Sequence, residues 1–191
     1  MTDSQRPLNP RLLAGWVGKY SGGGTNHEDQ TFDAVAELRE IAQGRSLCLE
    51  FTATGTTGEV YHTEVSLISP DLAGDGLCLA QACSNIPGLA VHQSADATFS
   101  DAGVLLSISF AFGAEGDGFR QVLTLASASP GTLEYSFAWA MPGEPVKPRS
   151  TALMTSVQPN RPSANPSLLD RAGRSAIADL PAHHIRDPGP P

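Results

Sequence analysis

Large apolar residues alternate with small or polar ones through the middle of the chain. Val104, Leu106, Ile108, Phe110 and Phe112 fall on one side of a run whose other side carries Ser107 and Ser109. Leu133, Tyr135, Phe137 and Trp139 repeat the pattern against Glu134, Ser136 and Ala138. Phe119, Gln121, Leu123 and Leu125 do so again, as do Leu47, Leu49 and Phe51. A period of two predicts β-strands with one buried face. Between the runs stand turn-forming clusters: Thr56-Thr57-Gly58, Gly74-Asp75-Gly76, Asp101-Ala102-Gly103, Glu115-Gly116-Asp117-Gly118 and Ser129-Pro130-Gly131. Short strands joined in order by tight turns predict an all-β fold, an antiparallel up-and-down β-barrel of about ten strands. One helical signal precedes them. Asn9 suits an N-cap and Pro10 the first helical position, so Asn9-Pro10-Arg11-Leu12-Leu13-Ala14 predicts a short helical plug for one end of the barrel.

Three regions are expected: a flexible N-terminus over 1–9, the barrel over 10–157, and a Pro-rich tail over 158–191. The tail holds nearly half of the 15 prolines and no aromatic residue, too little apolar surface to offset the entropy of ordering, and is expected to be disordered. With 191 residues, 40% hydrophobic and only 17% charged, the chain has material for one core, and its 19 Gly fit a turn-rich fold. The net charge of −8 belongs to the body, since the tail carries four Arg against three Asp. No cationic stripe is present, which argues against nucleic acid as a partner. No apolar run approaches the roughly 20 residues of a membrane span, and Met1–Arg6 has no basic-then-apolar leader, so a cytoplasmic location is expected. Three cysteines (Cys48, Cys78 and Cys83) in such a chain do not suggest a disulfide framework. Exposed barrel strands leave a homodimer open.

The segment Leu13-Ala14-Gly15-Trp16-Val17-Gly18-Lys19-Tyr20 resembles the opening strand of calycins, the lipocalin and fatty-acid-binding-protein superfamily, where a G-x-W-x-G element starts the barrel. Here Gly15 and Trp16 are adjacent, so the element is compressed. Within that superfamily the chain resembles the nitrobindin-like group of small haem-binding barrels. The resemblance is carried by Gly44-Arg45-Ser46-Leu47-Cys48-Leu49, by Tyr61-His62-Thr63-Glu64-Val65, and by the strand from Leu133 to Met141. It implies a barrel with an internal ligand site. It does not imply the group's haem ligation, because the position of the iron-binding His, in Val146-Lys147-Pro148-Arg149-Ser150, is Arg149. A guanidinium stays protonated and has no lone pair for iron.

Candidate chemistry centres on polar residues inside predicted strands. His62 and Glu64 share one face of their strand, and His92 stands on another strand from which it could reach a ligand. His27, beside Glu28 and Asp29, reads as a polar loop residue, and His183-His184 in the tail make a weak metal site at best. Cys78 and Cys83, five apart across a strand and its turn, read as small buried hydrophobes. Gly22-Gly23-Gly24 lacks the following Lys and helix of a phosphate cradle, and no G-x-S-x-G or H-E-x-x-H element occurs. Glu37, Glu40, Glu50 and Glu64, read as lying on separate strands, would do acid–base work only if two of them met in the lumen. Trp16, Tyr20, Phe110, Phe137 and Trp139 read as core, with room left by Ala53, Ala80, Ala82, Ala138, Ala140, Ser107 and Ser109 for a cavity. The reading is non-catalytic binding of a small, largely apolar ligand, an anion among the candidates, with Arg149, His62, Glu64, Tyr135, Trp16 and His92 as its site and no metal or cofactor. The alternatives are haem held by His62, His92 or Met141, a filled barrel that binds a protein partner, and a calycin isomerase or lyase using a lumen carboxylate.

Overall fold

The computed structural model describes residues 7–72, 76–114 and 118–157. The expected disordered tail, His183-His184, and parts of the turns at 74–76 and 115–118 lie outside the described residues. Ten strands follow in order: β1 (Gly18–Asn26), β2 (Thr31–Ile41), β3 (Ser46–Gly55), β4 (Val60–Pro70), β5 (Leu77–Cys83), β6 (Ile86–Phe99), β7 (Leu105–Phe112), β8 (Arg120–Ala126), β9 (Thr132–Ala140) and β10 (Lys147–Ser156). Each pairs antiparallel with its successor, and β10 pairs with β1 to close the barrel. Closure leaves no strand edge unpaired, which removes the usual template for aggregation.

The plug is a short 3-10 helix, Pro10–Trp16, capped by the Asn9 side chain, which accepts from the Arg11 N–H. Leu13 and Trp16 are buried at the barrel's lower end, and Leu8 packs against the same core. Trp16 therefore belongs to the plug rather than to a ligand site, and its carbonyl accepts from the Tyr20 hydroxyl at 2.7 Å. The seam between β1 and its neighbours depends on glycine. A Cβ on Gly22 would overlap the Leu153 carbonyl, and one on Gly24 would overlap the Thr151 carbonyl and the Phe32 ring. The Gly-rich stretch thus lets backbones approach closely where the barrel closes.

Two expectations about faces need correction. Val104 and Leu106 are 59% and 36% exposed, not buried with Ile108 and Phe110. Phe99 pairs with Leu105 but Thr98 pairs with Ser107, so Leu106 is an extra, bulged residue and Leu105 takes the inward place. The small residues also lie elsewhere than expected. Ala80 and Ala82 alternate with buried Leu79 and Gln81, and Ser109 Oγ meets Thr124 Oγ1 at 2.8 Å across the outer face. Among the small residues named, Ala53 lines the interior pocket described below.

Cys78 and Cys83 are the half-buried ends of β5 rather than a strand and its turn, and Cys48, Cys78 and Cys83 are free thiols. Burial pushes the Cys48 thiol up. Glu37 and Glu40 share β2, and Glu37 faces Lys19 in an ion pair while Glu50 pairs with Arg39, so these three carboxylates do not meet Glu64. Among the described residues no helix is long and apolar enough to cross a membrane.

Packing of the β1 seam is open to a direct check. Gly24→Val should lower the midpoint of urea unfolding by roughly 1–3 kcal/mol of stability, the usual cost of overpacking. Gly15→Ala, whose Cβ would meet nothing within 4 Å, should change it little. Equal midpoints for both variants would contradict the close approach at Gly24.

Candidate functional site

At the end opposite the plug the barrel opens into a pocket of about 140 Å³. Its lower wall is a pair of rings: Phe51 on β3 and Tyr135 on β9 stack at 4.0 Å with planes 8° apart. Phe137 and Trp139 continue up β9, and Phe32 and Ala53 complete the wall. Alternation puts them there, since Leu133, Tyr135, Phe137 and Trp139 share one face of β9.

Bulges bring two polar side chains to the mouth. In β10, Pro148 pairs with Ala138 but Ser150 pairs with Phe137, so Arg149 is the extra residue. Its guanidinium carbon lies 3.8 Å from the centroid of the Trp139 ring. Arg149 Nε is buried without a hydrogen-bond partner. Among the described residues the ion pairs are Lys19–Glu37, Arg39–Glu50 and His62–Glu64, so Arg149 has no carboxylate beside it. In β4, Ala53 pairs with His62 but Thr54 pairs with Val60, which makes Tyr61 the extra residue and leaves both Tyr61 and His62 on the pocket wall. Tyr61 donates from its hydroxyl to Glu59 at 2.7 Å. Hydrogen bonds from Thr57 and then from Tyr61 hold the exposed Glu59 carboxyl down at about 2.

The β1–β2 turn supplies His27. Asn26 organises that turn, its side-chain oxygen accepting from the N–H groups of Glu28 and Gln30 at 2.9 and 3.0 Å. His27 meets Trp139 edge-on, with centroids 6.0 Å apart. It lines the pocket instead of standing as a plain loop residue.

Beneath the pocket lies Glu64, its side chain fully buried. Its Oε2 accepts from Tyr135 Oη at 2.7 Å, from Gln81 Nε2 at 2.5 Å and from His62 Nε2 at 3.2 Å, while Oε1 accepts from Ser66 Oγ at 3.2 Å. The chain extends further. Gln121 Nε2 donates to Gln81 Oε1 at 2.7 Å and also to His92 Nε2, and His92 Nδ1 donates to the Leu79 carbonyl at 3.3 Å. Because a carbonyl only accepts, Nδ1 must carry the His92 proton and Nε2 must be the acceptor. Gln121 therefore donates two ways: to Gln81, which donates in turn to the carboxylate, and to His92, whose own proton goes to the Leu79 carbonyl. Burial is the main force pushing His92 down, and burial, then Glu64, push the Tyr135 hydroxyl well above its usual range.

Of the residues predicted for the site, Arg149, His62 and Tyr135 meet at the pocket, and Glu64 stands directly under it, bonded to two of them. His92 is fully buried with both ring nitrogens engaged, accepting from Gln121 and donating to Leu79, so it belongs to the hydrogen-bonded layer and does not line the pocket. Gln81 and Gln121 are not among the residues predicted for the site. Their signal was an amide at an inward position of an otherwise apolar strand face, as in Gln121, Leu123 and Leu125. Among the described residues no group of three His, Cys, Asp or Glu side chains is placed to hold a metal ion.

No protein-family model and no curated protein matches the sequence. Solved structures of similar fold do exist. Rv2717c from M. tuberculosis is 13% identical with a TM-score of 0.53, covering 78% of this chain and 96% of that one. A de novo designed fluorescence-activating β-barrel is 10% identical over 82% of this chain and 99% of its own, with a TM-score of 0.38. A redesigned β-barrel bound to DFHBI is 12% identical over 79% and 99%, also at 0.38. The likeness to Rv2717c shows the fold alone: a closed, ten-stranded antiparallel barrel.

The buried imidazole makes stability depend on pH. With its folded-state value below the ordinary 6.5, the unfolded chain takes up a proton at His92 that the folded chain refuses. Stability should therefore fall as pH drops below about 6.5. In His92→Gln, whose amide oxygen can still accept from Gln121, urea midpoints between pH 8 and 5 should fall less steeply. Parallel slopes for the two proteins would contradict a neutral, buried His92.

Proposed function

We propose that this barrel is a non-catalytic binding protein for a small, largely apolar organic anion, held at the open end by Arg149, with the His62 and Tyr135 rings in the pocket wall. The observation that carries the reading is the state of Arg149. Its guanidinium carbon lies 3.8 Å from the Trp139 ring centroid, its Nε is buried and unpartnered, and among the described residues no carboxylate pairs with it. A half-buried cation without a counter-ion is costly, and an anion in the pocket offsets that cost with charge-assisted hydrogen bonds. The net charge of −8 does not favour anions at long range, so selection rests on contact rather than steering.

The resemblance to calycins agrees with a ligand inside the barrel. Haem, the ligand of the nitrobindin-like group, fits these residues poorly. Arg149 replaces the iron-binding His, His92 is sealed, His62 gives Nε2 to Glu64, and Met141 lies 51% exposed at the β9–β10 turn. A pocket of about 140 Å³ is also far smaller than a porphyrin.

Tryptophan emission reads the site, since Trp139 lines it while Trp16 sits in the plug. Benzoate and hexanoate should change the emission saturably, and the neutral benzamide and hexanamide should do so far more weakly. Arg149→Gln should weaken acid binding by roughly 1.5–3 kcal/mol, the worth of a hydrogen bond to a charged group. Acids and amides binding alike, or acids binding equally to Arg149→Gln, would contradict the reading.

A further inference from the structure

Resting on that reading, we infer that the pocket takes planar arenecarboxylates of about the size of benzoate, with the ring seated between Ala53 and the stacked Phe51–Tyr135 pair and the carboxylate at the mouth on Arg149. Three observations define this class. The first is volume. A cavity of about 150 Å³ holds one benzene ring, and this pocket measures about 140 Å³.

The second is the floor. Glu64, Ser66, Gln81, His92, Gln121 and Tyr135 bond one another across the interior just below the pocket. Under them Ile68, Leu77, Leu79, Leu123, Leu125 and Leu133 are all wholly buried. A long alkyl chain would have to break buried hydrogen bonds and displace packed leucines to descend, so the lumen that carries fatty acids in wide barrels is closed here. The floor also offers a ligand no free carboxylate oxygen, because Glu64 Oε2 already accepts three donors and Oε1 a fourth. Polar atoms of the ligand are therefore confined to its outer end.

The third is the chemistry of the walls. Phe51, Tyr135, His62, Phe137 and Trp139 all line the pocket, so its walls are largely aromatic rings. Flat rings gain from stacked or edge-on contact beyond the area they bury, which a puckered ring of equal size does not. At the mouth the planar fork of Arg149, fixed against Trp139, matches a carboxylate in two-point contact.

Calorimetric titration of the full chain with benzoate, cyclohexanecarboxylate and dodecanoate separates the possibilities. Benzoate should bind about two- to tenfold tighter than cyclohexanecarboxylate, the gain of an aromatic contact on the scale of a factor of ten per 1.4 kcal/mol. Dodecanoate should bind more weakly than either. Ala53→Phe, checked for an unchanged circular-dichroism spectrum, should lose benzoate binding by at least about tenfold because its ring occupies the slot. Should Ala53→Phe fail to fold, the ranking of the three acids on the unaltered chain still decides. Dodecanoate binding tightest, or benzoate and cyclohexanecarboxylate binding equally, would overturn this inference and leave the anion site standing. If no acid binds and neutral analogues do, the anion reading itself falls.

Discussion

A carboxylate buried inside a barrel is the constraint around which this interior is arranged. Removing Glu64 from water costs several kcal/mol unless its oxygens are satisfied. Four donors from three strands do so: His62 and Ser66 on β4, Gln81 on β5 and Tyr135 on β9. Supplying those donors fixes much else. Gln81 must present its amide nitrogen to Glu64, so its oxygen needs a donor and finds Gln121. Gln121 then spends its second hydrogen on His92, which must be neutral to accept it. A polar layer results, tying β4, β5, β6, β8 and β9 together between an apolar lower core and the open mouth.

The mouth treats charge in the opposite way. Arg149 is turned inward by a bulge, braced on Trp139 and, among the described residues, left without a carboxylate partner. Below, a negative charge has every acceptor site it needs filled; above, a positive charge has donors to spare. That asymmetry gives the pocket its chemistry. The same polar layer that satisfies Glu64 also closes the lumen, and so sets the depth and the size of what the mouth can hold.

Much of the fold was legible in the chain because it follows from local rules. Alternation in Leu133, Tyr135, Phe137 and Trp139, and glycine-bearing turns such as Ser129-Pro130-Gly131, mark strands and their connections without reference to the rest of the molecule. Asn9 and Pro10 mark the plug in the same way. Bulges were not legible. Nothing local separates Leu106 from Leu105, or announces that Arg149 and Tyr61 would be extra residues, since a bulge is defined by the partner strand's register. The site was half legible. Arg149, His62 and Tyr135 stood out as polar groups in strands, but parity alone could not say that His92 would bond Gln121 rather than face the pocket. His27 reads in sequence as a plain loop residue because its place depends on how Asn26 folds its turn over Trp139.

The ordering of hydrogen bonds around Glu64 is a statement about where hydrogens sit, and ring nitrogens report that directly. A long-range ¹H–¹⁵N spectrum of the histidine rings at pH 8 should show opposite tautomers at two positions. His62 should carry its hydrogen on Nε2, facing Glu64, and His92 on Nδ1, facing the Leu79 carbonyl. Finding His92 protonated on Nε2, or either ring averaging between tautomers, would break the hydrogen-bonded layer and with it the account of a sealed floor beneath the pocket.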